Sequence, residues 1–168
     1  PDKLFKQRVE LERADGDIAY GDWVRVRQDT DGRIDCEEIV RVSLTSKAEL
    51  EIFNEVWCPP AVYLFRKAII ERVGGWHLGL PVVQDARFVV DCAALGARFV
   101  PCDGVMAYYR AHRIGSLSTK SRESFLRDCL TNTKEMELRV RGRGMWNEEW
   151  QEALAGAYDH VLRGACGR

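Results

Sequence analysis

From Gly74 to Ser118 the chain runs GGWHLGLPVVQDARFVVDCAALGARFVPCDGVMAYYRAHRIGSLS, its most informative segment. Ala86, Val89, Val90, Ala93 and Ala94 recur in it at helical spacing, so Gln84 to Leu95 reads as a helix with one apolar face, ended by Gly96. Ala97 to Pro101 and Val105 to Arg110 are short apolar runs that read as two strands. A loop with Gly79 and Pro81 leads into the helix, and Gly74-Gly75 supplies the backbone freedom that ends the element before it.

Upstream the same alternation of helix and strand holds. Leu4, Phe5, Val9 and Leu11 predict a helix over Pro1 to Ala14, stopped at Asp15-Gly16. Asp17 to Arg27 alternates apolar and polar residues as a strand does, and Asp29-Thr30-Asp31-Gly32 makes a hairpin turn before Arg33-Ile34. Ser46 and Glu49 have the spacing of a capping box for a short helix, Lys47 to Asn54, which Cys58-Pro59-Pro60 cannot continue. Ala61 to Phe65 reads as a buried strand and Lys67 to Val73 as a second short helix. The order α-β-(β)-α-β-α-α-β-β predicts an α/β protein with a mixed sheet and flanking helices.

Downstream the pattern changes. Phe125, Cys129 and Met136, then Trp146, Trp150, Leu154, Tyr158, Val161 and Leu162, form two amphipathic stripes, so residues 119–168 read as a C-terminal extension of two helices separated near Arg141-Gly142-Arg143-Gly144. Packing on the sheet or on each other accounts for both stripes.

Composition narrows the function classes. With 46% hydrophobic and 30% charged residues the 168-residue chain can bury one substantial core. Lys+Arg 25 against Asp+Glu 26 leaves no global field for nucleic acid or an anionic membrane, so an anionic ligand must be held locally. No run is long and apolar enough to span a bilayer. Six scattered cysteines without a C-x-x-C pair read as reduced thiols of a cytoplasmic protein. Pro1-Asp2 resembles the first turn of a helix whose preceding loop is missing, which reads as a fragment.

Several ordered pieces carry a family resemblance: Asp17-Ile18-Ala19-Tyr20-Gly21-Asp22-Trp23, Ala61-Val62-Tyr63-Leu64-Phe65-Arg66, Gly74-Gly75-Trp76, Gln84-Asp85, Gly96-Ala97-Arg98-Phe99, Tyr109-Arg110-Ala111-His112 and Ser116-Leu117-Ser118. Over roughly the first 120 residues the chain resembles the second, acceptor-side half of family 2 glycosyltransferases of the GT-A fold, and the ordered combination is more specific than any single motif. The resemblance implies that residues 1–118 are the C-terminal part of such a domain. It implies an inverting glycosyltransferase with a nucleotide-sugar donor and a carbohydrate or other hydroxyl acceptor. The donor-binding half, with a D-x-D pair holding Mg²⁺ or Mn²⁺, is expected outside this chain, which by itself is expected to bind donor weakly and turn over slowly or not at all. Asp29-Thr30-Asp31 has the spelling of that pair, but its place in a turn explains it better. A truncated sheet would expose an edge, so self-association into a homo-oligomer is expected.

Glycosyl transfer needs a base for the acceptor hydroxyl, charge stabilisation for the departing diphosphate, and alignment of the two reactants. Asp85, in the first turn of its helix, is the candidate base; a carboxylate there also favours the helix N-terminus electrostatically without any catalysis. The family usually has Glu-Asp at this point, where this chain has Gln84-Asp85. His112 is the candidate for the cation or diphosphate, with a surface histidine as the bland alternative. Arg110 is the candidate for phosphate oxygens, with Arg113 better explained as a solvated arginine. Asp22, Trp23, Trp76 and Gln84 are the candidates for the acceptor side, core or rim packing being the alternative for the tryptophans. The competing functions are a non-catalytic remnant or carbohydrate-binding module, and a generic α/β interaction domain.

Overall fold

A computed structural model describes residues 2–28, 31–110 and 121–167. Among them the order is α1 (Lys3–Arg13), β1 (Ile18–Gln28), β2 (Ile34–Val40), α2 (Ala48–Asn54), a 3-10 turn (Pro60–Val62), β3 (Leu64–Phe65), α3 (Lys67–Val73), α4 (Gln84–Ala94), β4 (Phe99–Arg110), α5 (Arg122–Gly142) and α6 (Glu148–Ala165). The chain is an α/β protein in which the six described helices flank an open, mixed sheet of the four described strands.

β1 is the organising strand. It pairs antiparallel with β2 (Trp23 opposite Val40) and β3 (Ile18 opposite Phe65), and in parallel with β4 from Ile18–Phe99 to Val26–Arg110. Its first half, Ile18 to Gly21, is buried without the alternation that the sequence suggests. A strand paired on both sides and covered on both faces has no solvent side to fill with polar residues.

The two strands predicted over 97–101 and 105–110 are one strand, β4, carrying a bulge: Gly21 faces Cys102, Asp22 faces Val105 and Trp23 faces Ala107. The extra residues fit because Gly104 takes φ +93 and Gly21 has no side chain, where a Cβ would lie 2.7 Å from the Cys102 carbonyl oxygen. Such a bulge turns the second half of β4 relative to the first and re-aims Tyr109.

Two further expectations need correction. The strand predicted over Ala61–Phe65 shrinks to Leu64–Phe65, because Pro60 opens a 3-10 turn that uses the residues before it. The Ser46–Glu49 capping box does not form: Lys47 is the N-cap, and Thr45 instead donates its hydroxyl to Glu51 Oε1 while accepting from the Lys47 amide at 3.1 Å. Glu49 is drawn away by Arg143, 3.3 Å from its carboxylate.

Arg66 joins the early elements, donating to the Leu11 carbonyl at 3.0 Å and the Gly16 carbonyl at 2.6 Å, where α1 runs out of its own donors. A single apolar cluster runs from Ile18, Ala19 and Tyr20 through Phe88 and Val90 to Met136, Val140, Trp150 and Leu154, so α5 and α6 share the core of the sheet. Met136 and Val140 are fully buried, each side chain contributing about 1.5–3 kcal/mol.

Candidate functional site

Asp85 stands in the first turn of α4 and lines a hollow of about 930 Å³, a size ordinary for small-molecule sites. One carboxylate oxygen, Oδ1, accepts from the Ala86 amide at 2.9 Å. Oδ2 has no hydrogen-bond partner among the described residues, which leaves it to meet a proton donor entering the hollow.

The sheet side of this hollow is aromatic. Trp57 and Tyr109 meet edge to face with centroids 5.3 Å apart, and buried Trp23 backs both, at 5.7 Å from Trp57 and 5.8 Å from Tyr109. Three mutually perpendicular rings fix one another, an arrangement worth about 0.5–1.5 kcal/mol per pair beyond burial. Arg25, opposite Tyr109 in the parallel register and stacked near the Trp23 ring, brings a cation to the same wall.

The far side is built by α5 and α6. Phe125 and His160 meet edge to face at 6.1 Å, and Gly156 and Ala157 keep the α6 surface low. Burial pushes the thiol of Cys129, also on this wall, up to about 11, so it is no thiolate at neutral pH and offers no nucleophile.

Helix α5 also grips the chain on both sides of Asp85. Three residues before it, the Val82 amide donates to buried Asp128 at 2.7 Å. Two residues after it, buried Arg87 donates to Glu135 at 2.5 Å, to Asn132 at 3.2 Å and, within α4, to Asp91 at 2.8 Å. His77, at the head of the loop, lies 3.2 Å from the same Glu135. Asp91 in turn pairs with Arg139 of α5. Charged hydrogen bonds of this kind are the strong ones, and together they hold the start of α4 at a set depth in the hollow.

The other residues singled out in the sequence are dispersed. Asp22 accepts from Arg41 at 2.5 Å and from the Val42 amide at 2.9 Å, so its carboxylate ties down the chain after β2 and lines neither hollow. Trp23 is core, 2% exposed, supporting the aromatic wall from behind. Trp76 is half exposed and stacks on Phe88 at 4.5 Å, outside both hollows. Gln84 donates to the Pro81 carbonyl at 3.4 Å and stands beside the hollow rather than on its lining. Arg110 follows Tyr109 on the opposite face of β4 and does not line it either. His112 lies outside the described residues. Among the described residues no three His, Cys, Asp or Glu side chains gather where a metal ion would be held.

The sequence does not single out Trp57, Arg25, His160 or Asp128, and it presents Phe125 only as part of a helical stripe. Trp57 precedes Cys58-Pro59-Pro60, whose local signal is a helix stop, and Asp128 carries no motif of its own. The second hollow, about 580 Å³, lies between the start of α2, the end of α4 and the start of α6, and holds none of the predicted residues. No described helix is long and apolar enough to cross a membrane. No protein-family model, curated protein or solved structure matches the chain.

Proposed function

We propose that this chain supplies the acceptor side of an inverting glycosyltransferase of the GT-A type, with Asp85 as general base. The observation that carries the reading is the half-partnered carboxylate of Asp85 at the rim of an open hollow faced by the Trp57–Tyr109 pair. In the reaction the acceptor hydroxyl approaches Asp85 Oδ2 and its proton passes to the carboxylate. Its oxygen bonds to the anomeric carbon, and the bond from that carbon to the diphosphate breaks, the electron pair leaving with the phosphate. Attack from the face opposite the leaving group inverts the anomeric centre.

The residues here hold and align the acceptor. The negative ring faces of Trp57 and Tyr109 suit the C–H edges of a ring substrate, and the clamp from α5 keeps Asp85 from drifting, which matters because a displacement of about 1 Å can cost 100-fold in rate. Arg25 is better placed than Arg110 to meet negative charge in this hollow. The test is Asp85→Asn in the natural polypeptide that contains this segment: acceptor-dependent release of nucleoside diphosphate should collapse while ligand binding to the hollow persists. A carbohydrate-binding module without catalysis, which the aromatic wall also suits, predicts no such release from either protein.

A further inference from the structure

We infer that the acceptor taken by this hollow carries one negative charge, on a carboxylate or a group like it, which Arg25 receives while the acceptor hydroxyl meets Asp85; the inference rests on the transferase reading of Asp85. Arg25 is the only lysine or arginine among the described residues of the lining. Its guanidinium stands beside the aromatic wall, 5.8 Å from the Trp23 ring centre. The one carboxylate within reach among the described residues is Glu38, across the β1–β2 ladder. It lies 4.0 Å away, too far for a hydrogen bond, and both side chains are about half exposed. Such a pair is worth about 1 kcal/mol or less and leaves the guanidinium donors free. Two residues on, Arg27 closes on Glu37 at 2.5 Å, so β2 can satisfy an arginine of β1 and does not do so at Arg25.

The Trp57 indole N–H and the Asn132 amide nitrogen line the same hollow without an acceptor among the described residues, the Asn132 contact with Arg87 using its oxygen, so both can donate to the ligand beside its charged group. Charge limits what that group can be. Asp85 already places one negative charge on the lining, so a dianionic phosphate would set three negative charges against a single guanidinium, whereas a carboxylate sets two. A carboxylate also matches the planar guanidinium fork. The departing diphosphate is not this anion: in an inverting displacement it leaves on the far side of the anomeric carbon from the attacking oxygen, away from the acceptor body that the hollow encloses.

Isothermal titration at low ionic strength, on the natural polypeptide that contains this segment, would compare the methyl glycosides of glucuronic acid and of glucose, which differ only in a carboxylate for a hydroxymethyl group. The glucuronide should bind about 10-fold tighter, and the preference should shrink as salt is raised. Arg25→Gln should abolish the preference, and its thermal midpoint should hold because the side chain it replaces is exposed. Arg27→Gln, on the same strand but off the hollow, should leave the preference in place. Pyrophosphate at equal concentration should not displace the glucuronide. Equal affinities for the two glycosides, a preference that survives Arg25→Gln in folded protein, or displacement by pyrophosphate would overturn the inference. A separate transfer assay keeps the two readings apart. Transfer to neutral hydroxyl acceptors at a rate indifferent to Arg25→Gln, with no glucuronide preference in binding, sinks this inference and leaves the transferase reading standing; the glucuronide preference as described, with no transfer to any hydroxyl, supports the anionic ligand and sinks the transferase.

Discussion

The two walls of the hollow are made in different ways. On the sheet side, Trp57 and Tyr109 are fixed by perpendicular ring contacts to each other and to buried Trp23, a rigid apolar surface held by shape. On the helix side the surface mixes the Phe125–His160 pair with small and polar residues, while Asp128, Asn132 and Glu135 of α5 take hold of Val82 and Arg87 through directional hydrogen bonds. The sheet wall presents a surface to a ligand; the helix wall sets where the carboxylate stands. Damage to the first should therefore show in binding, and damage to the second in catalysis and stability together.

The sharpest way to break this contrast is Asp85→Asn, which should lower the transfer rate by roughly 100- to 10,000-fold and leave the unfolding free energy nearly unchanged, read by steady-state kinetics beside denaturant titration. An equal loss of stability would mean that the carboxylate belongs to the clamp instead. Next comes Arg87→Met, which leaves Glu135 with His77 alone and weakens the hold on Asp91; chemical denaturation should show a loss of about 3 kcal/mol, near the lower end for a broken buried pair because its partners are partly exposed.

Asp128→Ala leaves the Val82 amide without its acceptor and should cost about 1–3 kcal/mol. Transfer rate should fall with it while ligand affinity is kept, a split that a merely structural carboxylate would not produce. The smallest effect belongs to Asp22→Asn: its exposed partner Arg41 makes the pair worth about 1 kcal/mol or less, and affinity in the hollow should not change.

How much of this was legible depends on whether the signal was local. α1, α3 and α4 lie within a residue or two of the expected spans, because apolar spacing and a glycine stop are written in neighbouring residues. β4 was misread as two strands because Pro101 to Gly104 looks like a break; only pairing with β1 across the bulge makes it continuous. Asp85 could be singled out from its place in an ordered series of motifs. Its surroundings could not, since Trp57, Phe125 and His160 come from segments far apart in the chain, and nothing in the spacing of one announces the others. Asp22 shows the converse: a carboxylate at a suggestive motif position that long-range folding commits to an arginine and an amide.

The bond between the Val82 amide and Asp128 spans 46 residues, which bears on the timing of biosynthesis. The segment leading to Asp85 leaves the ribosome well before its acceptor on α5 has been made, and contacts so distant in sequence close late. A nascent chain halted ahead of α5 should expose the segment 82–87, half-buried to buried in the folded protein, to proteases, and completion of that helix should slow the cleavage. Competence of the pocket would then be acquired only once α5 and α6 have both been translated.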